Sequence, residues 1–151
     1  MNAPATLADL HAREADYWYE VDHNAGRSAH LHYAEAGTFA IGDRLFRGRA
    51  EIAGFYEWRA QLGDRTARHV VTNPRLGELT PENAHFLCIM LLYAENGVPV
   101  LESRPAVMIA DIESVYARIG ETWELRSRTL RPIFEGGVGA TVPAEPLSKA
   151  D

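Results

Sequence analysis

Two residues 47 positions apart, Asp22 and His69, are of types that suit proton transfer. Asp22 ends a long N-terminal amphipathic stretch. His69 lies in the segment 68–73 (RHVVTN), whose alternation is typical of a strand. A carboxylate that orients an imidazole forms a proton-transfer dyad, and this chemistry requires no cofactor. Asp22 and His69 are therefore the candidate catalytic residues. A strand histidine held by an ordinary hydrogen bond and a helix-capping carboxylate are the open alternatives.

Aromatic side chains at helical spacing and on one strand could form the wall of a binding pocket. They are Tyr17, Trp18, Tyr19, Phe39, Phe55 and Trp58. Such residues usually form plain core, but their number would suit a flat apolar ligand. Met90, on a later strand, is a further candidate. So is Asn73, which lies four residues beyond His69 on the same face of its strand, although it could instead serve a bend at Pro74.

The composition argues against several classes of function. A formal charge of −6 does not suit a nucleic-acid surface, which needs an excess of lysine and arginine. The single cysteine, Cys88, lies in an apolar run, which favours a small buried side chain in a reducing compartment. His23, His30 and His32 are not in a recognised metal-binding arrangement, so we expect no metal. Without a GxGxxG or P-loop motif, we expect no nucleotide cofactor.

The length of 151 residues predicts one domain. We expect a flexible N-terminus at 1–5, a single domain at 6–135 and a flexible tail at 136–151, where glycine, proline and alanine are frequent. No run of 18 apolar residues and no signal-peptide pattern is found in the sequence, so we expect a cytoplasmic protein without a membrane partner.

Periodicity predicts helices first, then a hairpin, a helix and four long strands. The helices are expected at 6–22, 27–35 and 49–62, and the strands at 38–41, 44–47, 66–76, 85–95, 100–118 and 123–134. This segregation indicates an α+β fold, a cone-shaped curved antiparallel or mixed sheet with the N-terminal helices over its concave face. Glu14 falls inside the apolar stripe of the first helix, so it must line a cavity or pair with an arginine.

The strand at 85–95 is apolar on both of its faces, whereas an antiparallel strand with one wet face should alternate. We therefore expect the helices to cover one face and a second subunit to cover the other, in a homodimer or homotrimer. A central strand under its own helices and loops is the alternative.

The order of these motifs resembles the nuclear transport factor 2-like superfamily in its SnoaL-like branch, from about residue 7 to 134. The matching segments are 19–22 (YEVD), 31–39 (LHYAEAGTF), 47–56 (RGRAEIAGFY), 68–73 (RHVVTN) and 123–128 (WELRSR). One departure is Ala36, where many relatives carry an acid before the glycine. The resemblance implies a cystatin-like α+β barrel.

Relatives in this superfamily include scytalone dehydratase, lindane dehydrochlorinase, ketosteroid isomerase, polyketide cyclases and the small subunits of ring-hydroxylating dioxygenases. The dehydratase and the dehydrochlorinase use an Asp–His dyad, and Asp22 and His69 match those two positions. The resemblance thus implies a cofactor-independent lyase or isomerase acting on a small apolar or aromatic ketone-like molecule, with Tyr17 or Tyr19 offering a hydroxyl. Fold does not fix function, so a non-catalytic scaffold like the dioxygenase small subunits and a ligand-binding protein remain alternatives.

Overall fold

The structure is a computed structural model that describes residues 2–136. Two α-helices, one 3₁₀ turn and six strands follow one another along this part of the chain. They are α1 (Ala3–Asn24), the 3₁₀ turn (Ala29–His32), β1 (Tyr33–Ile41), β2 (Arg44–Arg47), α2 (Gly48–Gln61), β3 (Arg65–Leu79), β4 (Asn83–Asn96), β5 (Met108–Ile119) and β6 (Thr122–Glu135).

The six strands form one mixed sheet in the order β2-β1-β6-β5-β4-β3. β1 runs parallel to β6, and every other neighbouring pair is antiparallel. The predicted α+β class is confirmed. The sheet is open rather than a closed barrel, because β2 and β3 are its edge strands. This leaves β3, the strand that carries His69, with one side free to bond to another element.

Helix α1 begins earlier than the sequence pattern predicts. The Asn2 side chain caps it by accepting a hydrogen bond from the backbone N–H of Ala5 at 3.1 Å, and Pro4 fits the first turn. Residues 3–5, expected to be flexible, are therefore helical. The helix ends at Ala25, which adopts the left-handed conformation. The expected flexible tail lies, from residue 137 onward, outside the described residues.

Two predicted elements differ from the structure. The segment 27–35 forms only the 3₁₀ turn, and β1 already begins at Tyr33, which pairs with Leu125 of β6. A register shift between Tyr33 and Thr38 follows, so pairing within the sheet overrides the local helical pattern. The strand expected from residue 100 begins only at Met108, after a loop.

The core lies between the two helices and the concave face of the sheet. In β4 the side chains of Ala84, Phe86, Cys88, Met90 and Leu92 are buried there. The intervening side chains of β4 are half-buried or exposed on the outer face, so the second subunit remains a prediction. Burial raises the pKa of the Cys88 thiol to about 12, which does not suit a nucleophile. None of the helices in the described range is long and apolar enough to cross a membrane.

Candidate active site

An open cavity of about 450 Å³ lies between the C-terminal ends of α1 and α2 and the concave face of the sheet. Its volume is within the usual range for small-molecule sites. One part of the wall is apolar and consists of Phe39, Ile41, Phe55, Met90, Leu92, Met108 and Leu130. The other part is polar and includes Asp22, Tyr56, Arg59, Arg65 and His69. A ligand here would contact apolar and charged groups together.

The Asp22 carboxylate holds His69 through both of its oxygens. Oδ1 lies 2.6 Å from the ring Nδ1, and Oδ2 accepts the backbone N–H of His69 at 2.8 Å. The side chains are only 5% and 10% exposed, respectively. This contact forms because α1 passes the edge of β3, where a backbone N–H has no neighbouring strand. Backbone and side chain of the histidine are thus fixed by one residue.

These two bonds define the tautomer of the neutral ring. An ionised carboxylate only accepts hydrogen bonds, so the neutral His69 ring carries its proton on Nδ1. Nε2 then has a free lone pair. Trp18 stacks on the imidazole with 4.4 Å between ring centroids and 16° between the planes. The ring is therefore held in both its tautomer and its plane.

Four of the predicted wall residues line the same cavity as Asp22 and His69. They are Trp18, Phe39, Phe55 and Met90. Tyr17 is buried and does not line this cavity; it borders the second cavity described below, and its hydroxyl is hydrogen-bonded to that of Tyr56.

The other three predicted wall residues lie elsewhere. Tyr19 is 65% exposed and stacks on His23, because it follows the buried Trp18 on the outer side of the helix. Trp58 packs against Phe55 and is not part of the cavity wall. Asn73 is exposed with a φ of 54°, beside an irregularity in the pairing of β3 with β4. It serves the bend rather than the cavity.

Tyr56, Arg59 and Arg65 line the cavity but were not among the predicted site residues. Helical periodicity placed Tyr56 and Arg59 on the buried side of α2 with Phe55, and that was the available signal. Burial raises the pKa of the Tyr56 and Tyr17 hydroxyls above the ordinary value, so both stay protonated and can donate hydrogen bonds.

A buried ion pair joins α1 to β6, and its arginine, Arg128, borders a second cavity rather than the one that His69 lines. Arg128 Nη2 lies 2.8 Å from Glu14 Oε1, and both side chains are wholly excluded from solvent. The Ser114 and Tyr116 hydroxyls donate to the same carboxylate oxygen at 2.7 and 3.2 Å. Arg128 Nη1 donates to the Tyr33 hydroxyl at 2.9 Å. Glu14, the unusual acid of the apolar stripe, thus pairs with an arginine.

A second cavity, of about 420 Å³, lies near the middle of α1 and the start of β6. It is lined by Arg13, His32 and Arg49 among others. Arg13 and Arg49 form ion pairs there with Asp9 and Glu35. Within residues 2–136, no group of three His, Cys, Asp or Glu side chains is arranged to hold a metal ion.

No protein-family model and no curated protein matches the sequence. Solved structures match most of its length. A candidate scytalone dehydratase from Novosphingobium aromaticivorans has a TM-score of 0.76 and 14% identity, over 97% of this chain and 96% of that one. ActVI-ORFA from Streptomyces coelicolor has a TM-score of 0.75 and 14% identity, over 89% of this chain and 99% of that one. A Catenulispora acidiphila protein in complex with S-DNPA has a TM-score of 0.72 and 17% identity, over 85% and 94%.

These identities establish the fold and nothing finer. Two further matching structures, both from Nostoc punctiforme, are described as having a cystatin-like fold and an unknown function. The predicted cystatin-like α+β fold is therefore confirmed, and membership of the nuclear transport factor 2-like superfamily stays a prediction. The activity must be argued from the cavity itself.

Proposed function

We propose that this protein is a cofactor-independent lyase or isomerase, in which His69 removes a proton from a carbon beside the carbonyl of a small apolar or aromatic ketone-like molecule. The observation that carries the proposal is the two-point contact of Asp22 with His69 on the wall of an open cavity. The structural likeness to a candidate scytalone dehydratase supports it.

In the proposed reaction the Nε2 lone pair of His69 takes the proton. The electron pair of the broken C–H bond moves into the carbonyl group and forms an enolate. That pair then expels hydroxide or halide from the neighbouring carbon and creates a double bond, or it collects a proton at another carbon and shifts a double bond. The imidazolium returns its proton to the leaving group or to the carbon. Asp22 balances the positive charge of the imidazolium meanwhile. A base of this kind contributes about 10²–10⁴-fold in rate.

A chain of hydroxyl groups could stabilise the enolate oxygen. Arg128 can only donate, so the Tyr33 hydroxyl accepts from it and donates onward to the Tyr17 hydroxyl at 3.3 Å. Tyr17 then donates to Tyr56, and the Tyr56 hydrogen is left for the cavity. Donors aimed at a developing negative charge are a large part of catalysis in such sites. Tyr56 is therefore the proposed partner of the carbonyl oxygen.

The proposal is tested by a screen of substrate classes. Aryl ketones that carry a hydroxyl, a halogen or a double bond next to the acidic carbon are incubated with wild type, His69→Ala and Asp22→Asn. We expect turnover of one class by wild type and a loss of at least about 100-fold in both variants, with ligand binding retained.

The matched control is His85→Gln. His85 also faces a carboxylate, with Nδ1 3.7 Å from Glu113 Oε1, but it is not part of the cavity wall. We expect its turnover to equal that of wild type. Turnover that survives in His69→Ala contradicts the proposal. A ligand that binds tightly without turnover in any class favours the ligand-binding alternative.

A further inference from the structure

We infer that this cavity selects ligands that carry an anionic group, such as a carboxylate, and that Arg59 and Arg65 bind it. The inference rests on the proposed use of the cavity for a small molecule and adds the charge of that molecule. It does not depend on His69 acting as a base.

The two arginines occupy one end of the cavity. Arg59 is in the last turn of α2 and Arg65 is the first residue of β3, so the short turn between these elements brings them together. Both line the cavity. Arg65 and His69 lie on the same face of β3, four residues apart, which separates their Cα atoms by about 13 Å. The anionic group would therefore lie away from the reacting carbon.

Neither arginine has a carboxylate partner within ion-pair distance among residues 2–136. Within the described part of the chain, Arg59 hydrogen-bonds through Nη2 to the Asn96 side-chain oxygen at 3.4 Å, and its Nε is buried without a hydrogen-bond partner. The nearby acid Glu95 is instead paired with Arg104 at 3.4 Å. Acids outnumber lysine and arginine by 21 to 15 in this sequence, so two unpaired arginines at one cavity are unexpected for a purely structural surface.

The electrostatics at this end of the cavity also favour a bound anion. Burial lowers the pKa of Arg65 to about 10. The neighbouring charge of Arg59 contributes to the decrease, and the charge of Glu95 partly opposes it. Burial also lowers the pKa of Arg59. Two like charges that are partly removed from water repel each other, and an anion between them would relieve this cost.

The remaining charged groups of the wall leave this excess of positive charge in place. Asp22 is committed to His69 through both oxygens. Asp64, which lies between the two arginines in the sequence, is exposed. Arg27 is a third cation of the wall, and it donates a hydrogen bond to the Asn24 side chain. The ligand that fits is thus amphipathic. Its rings would contact the apolar wall, and its carboxylate would meet the arginines.

The experiment compares two probes of the same shape, 2-naphthoate and its neutral amide 2-naphthamide, by isothermal titration calorimetry. We expect wild type to bind naphthoate at least about tenfold more tightly, as charge-assisted hydrogen bonds predict. Arg59→Gln and Arg65→Gln should each lose most of this preference, whereas Arg65→Lys should keep part of it. Added salt should weaken binding of naphthoate and leave naphthamide nearly unchanged.

Arg68→Gln is the matched control, since Arg68 is exposed on the opposite face of the same strand and bonds only to the Ala67 carbonyl. It removes the same charge and should leave the preference intact. Equal binding of the two probes, binding of neither, or an unchanged preference in the Arg59→Gln/Arg65→Gln double variant would overturn the inference. Circular dichroism confirms that each variant is folded.

The same titration in His69→Ala separates this inference from the proposed reaction. A preference for naphthoate that persists there, together with ketone turnover that does not need His69, supports the anion site and refutes the dyad. Absence of a preference for naphthoate, together with ketone turnover that needs His69, supports the dyad and refutes the anion site.

Discussion

Glu14→Gln tests whether the buried ion pair with Arg128 is a principal support of the fold. The substitution keeps the shape of the side chain and an oxygen that can accept from Ser114 and Tyr116, so it removes mainly the negative charge. Arg128 is then left charged in a site with no solvent contact. Breaking a buried pair in this way costs about 3–5 kcal/mol.

This cost corresponds to a fall of about 6–20 °C in melting temperature for a domain of this size. Urea unfolding followed by tryptophan fluorescence measures the free energy of unfolding directly. The control is Asp9→Asn on the same helix, since Asp9 pairs with Arg13 at the surface, at 3.3 Å and with both side chains well exposed. An exposed pair of this kind contributes about 0.2–1 kcal/mol.

The double variant Glu14→Leu/Arg128→Met extends the test. It removes both charges and fills the space with apolar groups, so it should be markedly more stable than Glu14→Gln. A Glu14→Gln protein that loses no more stability than Asp9→Asn would refute the reasoning. So would a double variant that is less stable than Glu14→Gln.

Three further predictions concern pH, reactivity and assembly. Burial, and then the charge of Arg128, lowers the pKa of His32, so the unfolded chain binds this proton more strongly than the folded protein does. The free energy of unfolding should therefore fall as the pH drops below about 6.5. In urea titrations between about pH 7 and 5, this decrease should be smaller in His32→Gln than in wild type. Cys88 should not react with a disulfide reagent at pH 8 until urea unfolds the protein, because its thiol is buried and its pKa is raised. Fast reaction of the folded protein would contradict this prediction. Leu91 lies on the outer face of β4, beside the 45% exposed Val70. Leu91→Glu should convert the expected dimer or trimer into a monomer in sedimentation experiments. A monomeric wild type would contradict the expected oligomer.

Much of the fold could be predicted because hydrophobic periodicity reports which face of each element is buried. It identified the long helix α1, the hairpin of β1 and β2, the helix α2 and the four long strands. It failed at 27–35, where pairing of Tyr33 with β6 decides the conformation, and at the start of β5, where a loop precedes Met108. Interactions between elements distant in sequence leave little trace in a local pattern.

The candidate site was less predictable for the same reason. Residue types made Asp22 and His69 candidates, and the resemblance matched both positions, but spacing alone does not show that Asp22 would meet the backbone and ring of His69. Arg59 lay on the buried side of α2 in the sequence pattern, but its lack of a carboxylate partner is a property of the folded chain. Tyr19 lies outside the apolar stripe of the first helix and faces solvent, which strict attention to the helical period would have indicated.

Asp22→Asn distinguishes the proposed dyad from a merely structural contact. The amide oxygen would accept the backbone N–H of His69, so its NH₂ group would face Nδ1. Because NH₂ only donates, Nδ1 would have to carry the lone pair, and the ring proton would move to Nε2. The ring would stay in place with its basic nitrogen turned away from the cavity.

The most direct test of this account is the tautomer of His69, measured by ¹H–¹⁵N NMR at pH 8 on protein with ¹⁵N-labelled histidine, with His69→Gln used to assign the signals. The proposed dyad predicts that the neutral ring carries its proton on Nδ1 in wild type, and on Nε2 with loss of turnover in Asp22→Asn. A neutral wild-type ring that carries its proton on Nε2 would contradict the dyad.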